Sequence, residues 1–340
     1  MYDDLKVLDV HAHVSVPPAA NTFAVNLMAT NTAMSSPLSG GPGHSPFMVL
    51  PAEEQFRAAA AAHVDYIDER GIDVQIIGPR PFMVLGWMQP HLLASWARYV
   101  NDMIHQQCQM FPDRFLGACQ LPHDPAAPDS SHCLDELQRC VDEYGFVATY
   151  VSPDPDGRRT TPGMHERWWY PLYERCQQLG LPIIVHGTNS ADPRYAVVPH
   201  NYQLSFVTEQ YLATQFLGHG PVFDDFPELK VIVCHCGGAL NRFIPTDFHI
   251  PQRDLSNNLF YDSCGYDLNF LEAAIKQRGV DQICFGVEAP GSGRTVRPET
   301  GRTSDDLIPV LRNFEWLSED DRRKIVHHNP ARVCPALAKV

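Results

Sequence analysis

Two histidines one residue apart, His11 and His13, close the first apolar run of the sequence in Asp9-Val10-His11-Ala12-His13. On a strand, residues i and i+2 point to the same face, so both imidazoles can reach one metal ion. An HxH pair also arises by chance, and the rest of the chain has to support it. Ile183-Ile184-Val185-His186 and Val231-Ile232-Val233-Cys234-His235 each end an apolar run in a histidine, and Cys284-Phe285-Gly286-Val287-Glu288 ends another in a carboxylate. A histidine-rich site usually includes a carboxylate as ligand or base. A divalent cation held by such groups, zinc or alternatively manganese, activates water and polarises substrate oxygens.

Those residues must be carried by elements that bring them together. Short apolar runs alternate with longer amphipathic stretches along the chain, the pattern of βαβ units that build a parallel sheet. Strands are expected at 7–14, 74–78, 115–119, 148–151, 182–186, 230–235, 259–262 and 283–286. Helices are expected at 52–69, 92–111, 133–143, 171–179, 202–217, 241–248, 269–278, 304–311 and 318–329. Eight strand–helix units predict an α/β fold of the (β/α)8 TIM-barrel type, in which the C-terminal strand ends converge on the active-site face. Four histidines from three strand ends then meet in one cavity. Residues 15–51, rich in Pro, Gly, Ser, Met and Asn, are too long for an ordinary connection after strand one. Phe23, Leu27, Met28, Met34, Phe47, Met48 and Leu50 give this insertion enough apolar surface to pack as a lid or pocket wall.

The chain has 340 residues, 44% of them hydrophobic and 19% charged, which excludes a disordered polypeptide. Its 26 basic and 40 acidic residues give a net charge of −14, the wrong sign for a protein that neutralises nucleic-acid phosphates. One or two placed arginines still suffice for a small carboxylic acid substrate. No apolar run approaches the roughly 20 residues needed to cross a bilayer, and Met1-Tyr2-Asp3-Asp4 lacks the start of a signal peptide. The ten cysteines, several of them within strand-like runs, read as reduced thiols. A cytoplasmic protein with one domain over 1–340 is therefore expected, with no nucleic-acid or membrane partner.

An HxH after strand one, histidines after strands five and six, and an acid after strand eight together resemble the amidohydrolase superfamily, over nearly the whole chain. Within it the chain is similar to the branch of aminocarboxymuconate semialdehyde decarboxylase, aromatic acid decarboxylases and 4-oxalomesaconate hydratase, where one divalent metal is usual. The decarboxylases mostly end strand eight in Asp followed by Tyr-Pro, whereas this sequence has Glu288 followed by Ala289-Pro290. That Glu, with Arg294 six residues on, Pro298-Glu299-Thr300-Gly301 and Asp305-Asp306, is similar to the hydratase subgroup. Further matching stretches are Gly78-Pro79-Arg80, Ser152-Pro153-Asp154-Pro155, Trp169-Tyr170-Pro171, His235-Cys236-Gly237-Gly238, and Tyr202, sixteen residues beyond His186. Ala12 in place of the Gly of a His-Gly-His, and the apolar run Pro81-Phe82-Met83-Val84-Leu85-Gly86-Trp87, depart from the subgroup. That run is expected to wall a pocket for a ring or hydrocarbon portion.

The resemblance implies that His11, His13, His186 and Glu288 hold the metal. It implies that Glu288 helps deprotonate water and that His235 or Tyr202 delivers a proton. Arg80, Ser152 and Arg294 bind the substrate, the arginines by forking onto its carboxylates. The implied reaction is hydration of an unsaturated keto-carboxylic acid from aromatic-compound catabolism, and the implied assembly is a homodimer. The same residues also serve a nonoxidative decarboxylase, and hydrolysis of an amide, ester or lactone needs no other centre. A barrel that kept its pocket and lost its chemistry is the non-enzymatic alternative. Elsewhere bland readings prevail: His123, His132, His165, His200, His219 and His249 are expected as solvated or packing residues, His327-His328 in a terminal helix, and Trp168-Trp169-Tyr170 as core.

Overall fold

A computed structural model describes residues 2–29, 52–199, 201–244, 246–250 and 252–340. Eight parallel strands pair in sequence order: β1 (Leu8–His13), β2 (Val74–Gly78), β3 (Phe115–Gln120), β4 (Ala148–Val151), β5 (Ile183–Val185), β6 (Val231–Val233), β7 (Leu259–Asp262) and β8 (Ile283–Cys284). Hydrogen bonds from Val10 N to Phe285 O, 3.0 Å, and from Glu288 N to His11 O, 2.8 Å, carry the sheet from its last strand back to its first. The expected (β/α)8 barrel is the fold.

The strands are short, β-branched and buried on both faces, as parallel strands covered by helices must be. Leu8, Val10, Val74, Ile76, Ala118, Ile184, Ile232 and Phe260 pack inside the barrel, where Val333, Cys334 and Leu337 of the C-terminal segment join them. A second, larger cluster fills the space between strands and helices. Val10 belongs to the inner cluster and Ala12 and Val14 to the outer one. The pairing of β1 with β2 shifts register between Asp9 and Ala12, and the His11 and His13 rings lie with centroids 5.2 Å apart.

Helices α1 (Pro18–Ala29), α2 (Glu53–Asp68), α3 (Pro90–Met110), α4 (Leu134–Tyr144), α5 (Tyr170–Leu179) and α6 (Asn201–His219) precede the helix Leu268–Arg278. All but α1 lie within two residues of their expected bounds. The first part of the insertion after β1 is helical, with Ala24, Val25 and Met28 buried. The remainder, including Met34, Phe47, Met48 and Leu50, lies outside the described residues. The helix expected at 241–248 does not form: the described residues there are bends and turns, with Phe243, Ile244 and Phe248 exposed. Pro245 and Pro251 in the sequence remove the amide donors a helix there would need. The helix expected at 304–311 is confined to Ile308–Asn313, because Asp305 and Asp306 are taken up by Arg70 and Arg302. The one expected at 318–329 forms from Glu319, passes through a π turn at Lys324–His328 and runs on to Val333.

All ten cysteines are free and nine of them are buried. Among the described residues no helix is long and apolar enough to cross a membrane.

Candidate metal centre and active site

His11 and His13 come from the end of β1, His186 from the first position after β5, and Glu288 from the loop that continues β8. Their ligand atoms all lie within 4.8 Å of one another, and all four residues are buried. Ring centroids separate His11 from His13 by 5.2 Å and His186 from each of them by 5.0 Å. His235, after β6, sits 5.2 Å from His11 and 5.0 Å from His186 on the same scale. The barrel thus joins the four strand-end histidines and the acid in one place, as their spacing predicts.

Each candidate histidine ligand is held through Nδ1. His11 Nδ1 meets Asp262 Oδ2 at 2.6 Å, His13 Nδ1 meets Pro79 O at 2.8 Å, and His186 Nδ1 meets Gly187 O at 2.7 Å. A carbonyl can only accept, so His13 and His186 carry their proton on Nδ1 and leave Nε2 a bare lone pair. The three Nε2 atoms are all buried and without a protein hydrogen bond. Burial drives the pKa of His13 down to about 4 and, with the neighbouring imidazoles, holds His186 well below its ordinary value. Neutral imidazoles facing a carboxylate, with His13 Nε2 3.4 Å from Glu288 Oε1, set lone pair against lone pair unless a cation lies between them. The donor set fits one divalent metal ion.

Glu288 is in the left-handed region at φ 56, and His235 and Cys236 are there at φ 51 and φ 57. A non-glycine residue in that region carries backbone strain of order 1 kcal/mol, which persists where surrounding contacts enforce it. Both turns bend the chain sharply at a strand end. They bring His235 Nε2 to 3.6 Å from Glu288 Oε2 while His235 Nδ1 contacts Gln210 Oε1 at 3.0 Å. Burial opposes a charge on His235, but Glu288 and Asp262 outweigh it and raise its pKa. Burial also penalises the Glu288 carboxylate, yet the surrounding imidazoles hold it well below the usual carboxylate range. Tyr266 and Ser292 contact the same carboxylate at 3.3 and 2.9 Å.

Arg80 is enclosed between Val14 O and Pro290 O, and burial lowers its pKa to about 10, so it stays charged at neutral pH. Arg80 and the exposed Arg294 line a cavity of about 530 Å³ together with Ser15, His63, Tyr66 and Pro290. Neither arginine has an ion-pair partner among the described residues. Ser152 lies elsewhere, buried in a narrow recess against His186. The side chain of Tyr202 lies outside the described residues, although its position falls in α6. Of the run 81–87, Pro81 and Val84 line the recess, whereas Met83 and Leu85 are core residues.

Two functional groups were not singled out by the sequence reading. Asp262 closes β7 as His186 and Glu288 follow theirs, and that same strand-end rule would have found it. His63, inside α2, has no sequence signal. It links Ser15 Oγ, 2.8 Å, to Gln75 Oε1, 2.8 Å, and to the carbonyl of Ala289, 3.2 Å. Gln75 in turn donates to Asp9 Oδ2 and to Ala289 O, 2.8 and 2.9 Å. The residue that follows Glu288 is therefore anchored by a buried polar network. His123, expected as a solvated or packing residue, is buried with its ring 5.2 Å from that of Trp169, a core residue, and it also lines the recess beside His186.

An eight-stranded barrel with a histidine and carboxylate centre at the C-terminal ends of its strands defines a barrel enzyme whose chemistry sits on that face. A family model described as Amidohydrolase matches residues 8–335, and the chain belongs to that family. The 2-keto-4-carboxy-3-hexenedioate hydratase of Sphingobium sp. is 30% identical over 350 residues, covering 98% of this chain and 97% of its own. A gamma-resorcylate decarboxylase of Polaromonas sp. is 29% identical, covering 77% of this chain and 83% of its own. The crystal structure of 4-oxalomesaconate hydratase from Rhodopseudomonas palustris superimposes with a TM-score of 0.76 at 27% identity, covering 97% of this chain and 96% of that one. These relatives place the chain among the lyases of the family.

Proposed function

We propose that this protein is a metal-dependent hydratase that adds water to the carbon–carbon double bond of an unsaturated keto-carboxylic acid of the 4-oxalomesaconate type. The observation that carries this reading is the placement of Glu288, 3.4 Å from His13 on one side and 3.6 Å from His235 on the other. A carboxylate there can pass a proton between a water molecule at the centre and the imidazole of His235. The full-length similarity to two hydratases supports the same reading.

His11, His13, His186 and Glu288 would hold the ion, with zinc as the first candidate for a set of three imidazoles and a carboxylate. When bound, it supplies Lewis-acid charge that makes water more acidic and favours negative charge on substrate oxygen. Glu288 takes a proton from the attacking water as its oxygen bonds to the alkene carbon remote from the keto group. The electron pair of the double bond moves toward the keto group as an enolate. His235, with its pKa raised, then delivers a proton to the adjacent carbon, so that H and OH are added across the bond. Arg80 and Arg294 line a cavity without competing carboxylate partners and are suited to forking onto substrate carboxylates. Ten free thiols suit a reducing compartment, which supports a place in the cytoplasm.

The test is metal analysis of the purified protein combined with turnover on unsaturated keto acids and aromatic carboxylates, following new hydroxyl groups and carbon dioxide together. Stoichiometric metal and water addition without carbon dioxide supports the hydratase. Carbon dioxide release would instead move the chain to the decarboxylases, to which the relative from Polaromonas sp. belongs by name.

A further inference from the structure

Three buried polar side chains around His186 take no part in the steps above, and only Ser152 among them is assigned to the substrate by resemblance. Gln120, His123 and Ser152 line a recess of about 10 Å³ beside His186, with Pro79, Pro81 and Tyr150. All three residues are more than nine-tenths buried. Gln120 Oε1, His123 Nε2 and Ser152 Oγ have no hydrogen-bond partner. Buried polar atoms are nearly always satisfied, so three of them at one recess mark a place built to receive a group.

The orientation of Gln120 is fixed. Its Nε2 donates to Met83 O at 3.0 Å, and its backbone is clamped by Asn101, which accepts from Gln120 N at 2.8 Å and donates to Gln120 O at 2.9 Å. The free atom is therefore an oxygen that can only accept. Ser152 Oγ can give or accept a hydrogen, and burial keeps the His123 imidazole neutral. The recess has room for about one water-sized group. A carboxylate placed there would set a lone pair against Gln120 Oε1, and the lining holds no Lys or Arg to offset its charge. A hydroxyl satisfies both sides, donating to Gln120 and accepting from Ser152 or His123.

We propose that Gln120, His123 and Ser152 form a hydroxyl-binding subsite of the active site, which holds a hydroxyl or enol O–H of the substrate beside His186 and rejects a carboxylate at that position. This rests on the hydratase reading, since a keto acid can enolise and its hydrated product carries a hydroxyl. Carboxylates are left to the arginine-lined cavity, so the two spaces divide recognition of a hydroxylated polyacid between them.

The test needs no turnover. Citramalate and methylsuccinate differ only by a hydroxyl, and their binding to the metal-loaded protein is measured by calorimetry in the wild type, Ser152→Ala and His123→Leu. Metal content is checked in each. The subsite predicts that citramalate affinity falls about tenfold in both variants, while methylsuccinate affinity changes less than about twofold. Equal changes for the two ligands, or no change for either, would overturn it and leave the recess as the seat of a structural water. If wild type fails to hydrate any keto acid yet the variants lose hydroxyl selectivity, the subsite stands and the hydratase reading falls. If hydration proceeds and both variants keep the wild-type preference, the reverse holds.

Discussion

His11 Nδ1 and Asp262 Oδ2 lie 2.6 Å apart, with both side chains fully buried. The same aspartate accepts from the backbone of Cys236, after β6, at 2.9 Å and of Cys264, just past its own strand, at 3.0 Å, which fixes the carboxylate. Burial opposes its charge, but the hydrogen bond from His11 outweighs that and lowers its pKa. Gly286 leaves the space this pair occupies, since a Cβ there would come within 2.8 Å of Asp262 Cβ and 3.0 Å of His11 Cβ. A carboxylate behind an imidazole fixes its tautomer and raises its basicity toward a metal. Asp262→Asn should therefore weaken metal affinity about 10- to 100-fold, as read by competition with a chelator. Unchanged affinity would show that Asp262 serves the fold alone.

Much of this centre was legible because one rule applies to all its parts: a polar residue at the end of an apolar strand points into the mouth of a barrel. His11, His13, His186, His235 and Glu288 obey it. So does Asp262, which closes β7. The anchoring role of His63 and the place of His123 in the recess beside His186 were illegible by that rule. Their roles come from packing partners distant in sequence, Ala289 for the one and Trp169 for the other. Helix α1 was hidden because its small and polar residues carry little amphipathic period, and it is ordered by contacts of Ala24, Val25 and Met28. The expected helix at 241–248 failed in the opposite way, with an apolar pattern whose residues are not covered by the barrel.

Glu288 separates a ligand's role from a base's. Glu288→Gln keeps the shape and one oxygen for the ion but cannot take a proton. With three imidazoles left, the variant should retain metal when it is supplied in excess, while turnover falls about 10²- to 10⁴-fold. Metal analysis and initial rates on the same preparation decide the matter. Loss of metal at excess supply would make Glu288 chiefly a ligand.

The anchor on Ala289 gives a third prediction, the first away from the ion. His63 takes hydrogens from Ser15 Oγ and Gln107 Nε2, the latter at 3.0 Å, and gives its own to Gln75 and Ala289. His63→Leu removes this and leaves several buried groups unpaired, so stability should fall by about 1–3 kcal/mol. The backbone next to Glu288 loses a support, and kcat should fall about tenfold with metal content unchanged. His63→Gln, which keeps a donor and an acceptor, should restore part of both losses. A stability loss with kcat untouched would confine His63 to the fold.

Acid stability follows from His123. Burial lowers its pKa from the ordinary 6.5 to about 3, so the unfolded chain binds a proton that the folded one refuses. Between these limits the unfolded state holds more protons, and the free energy of unfolding falls as pH falls, by up to about 1.4 kcal/mol per pH unit for one such group. Above pH 6.5 both states are neutral and the contribution is constant. Replacing His123 with leucine removes this proton from the balance. Urea unfolding of metal-loaded wild type and His123→Leu between pH 7 and pH 4 should show the variant losing less stability per unit of acidification, by about that amount. Parallel curves over that range would mean that His123 is protonated in the folded protein, and with it the neutral imidazole on which the hydroxyl recess depends would be gone.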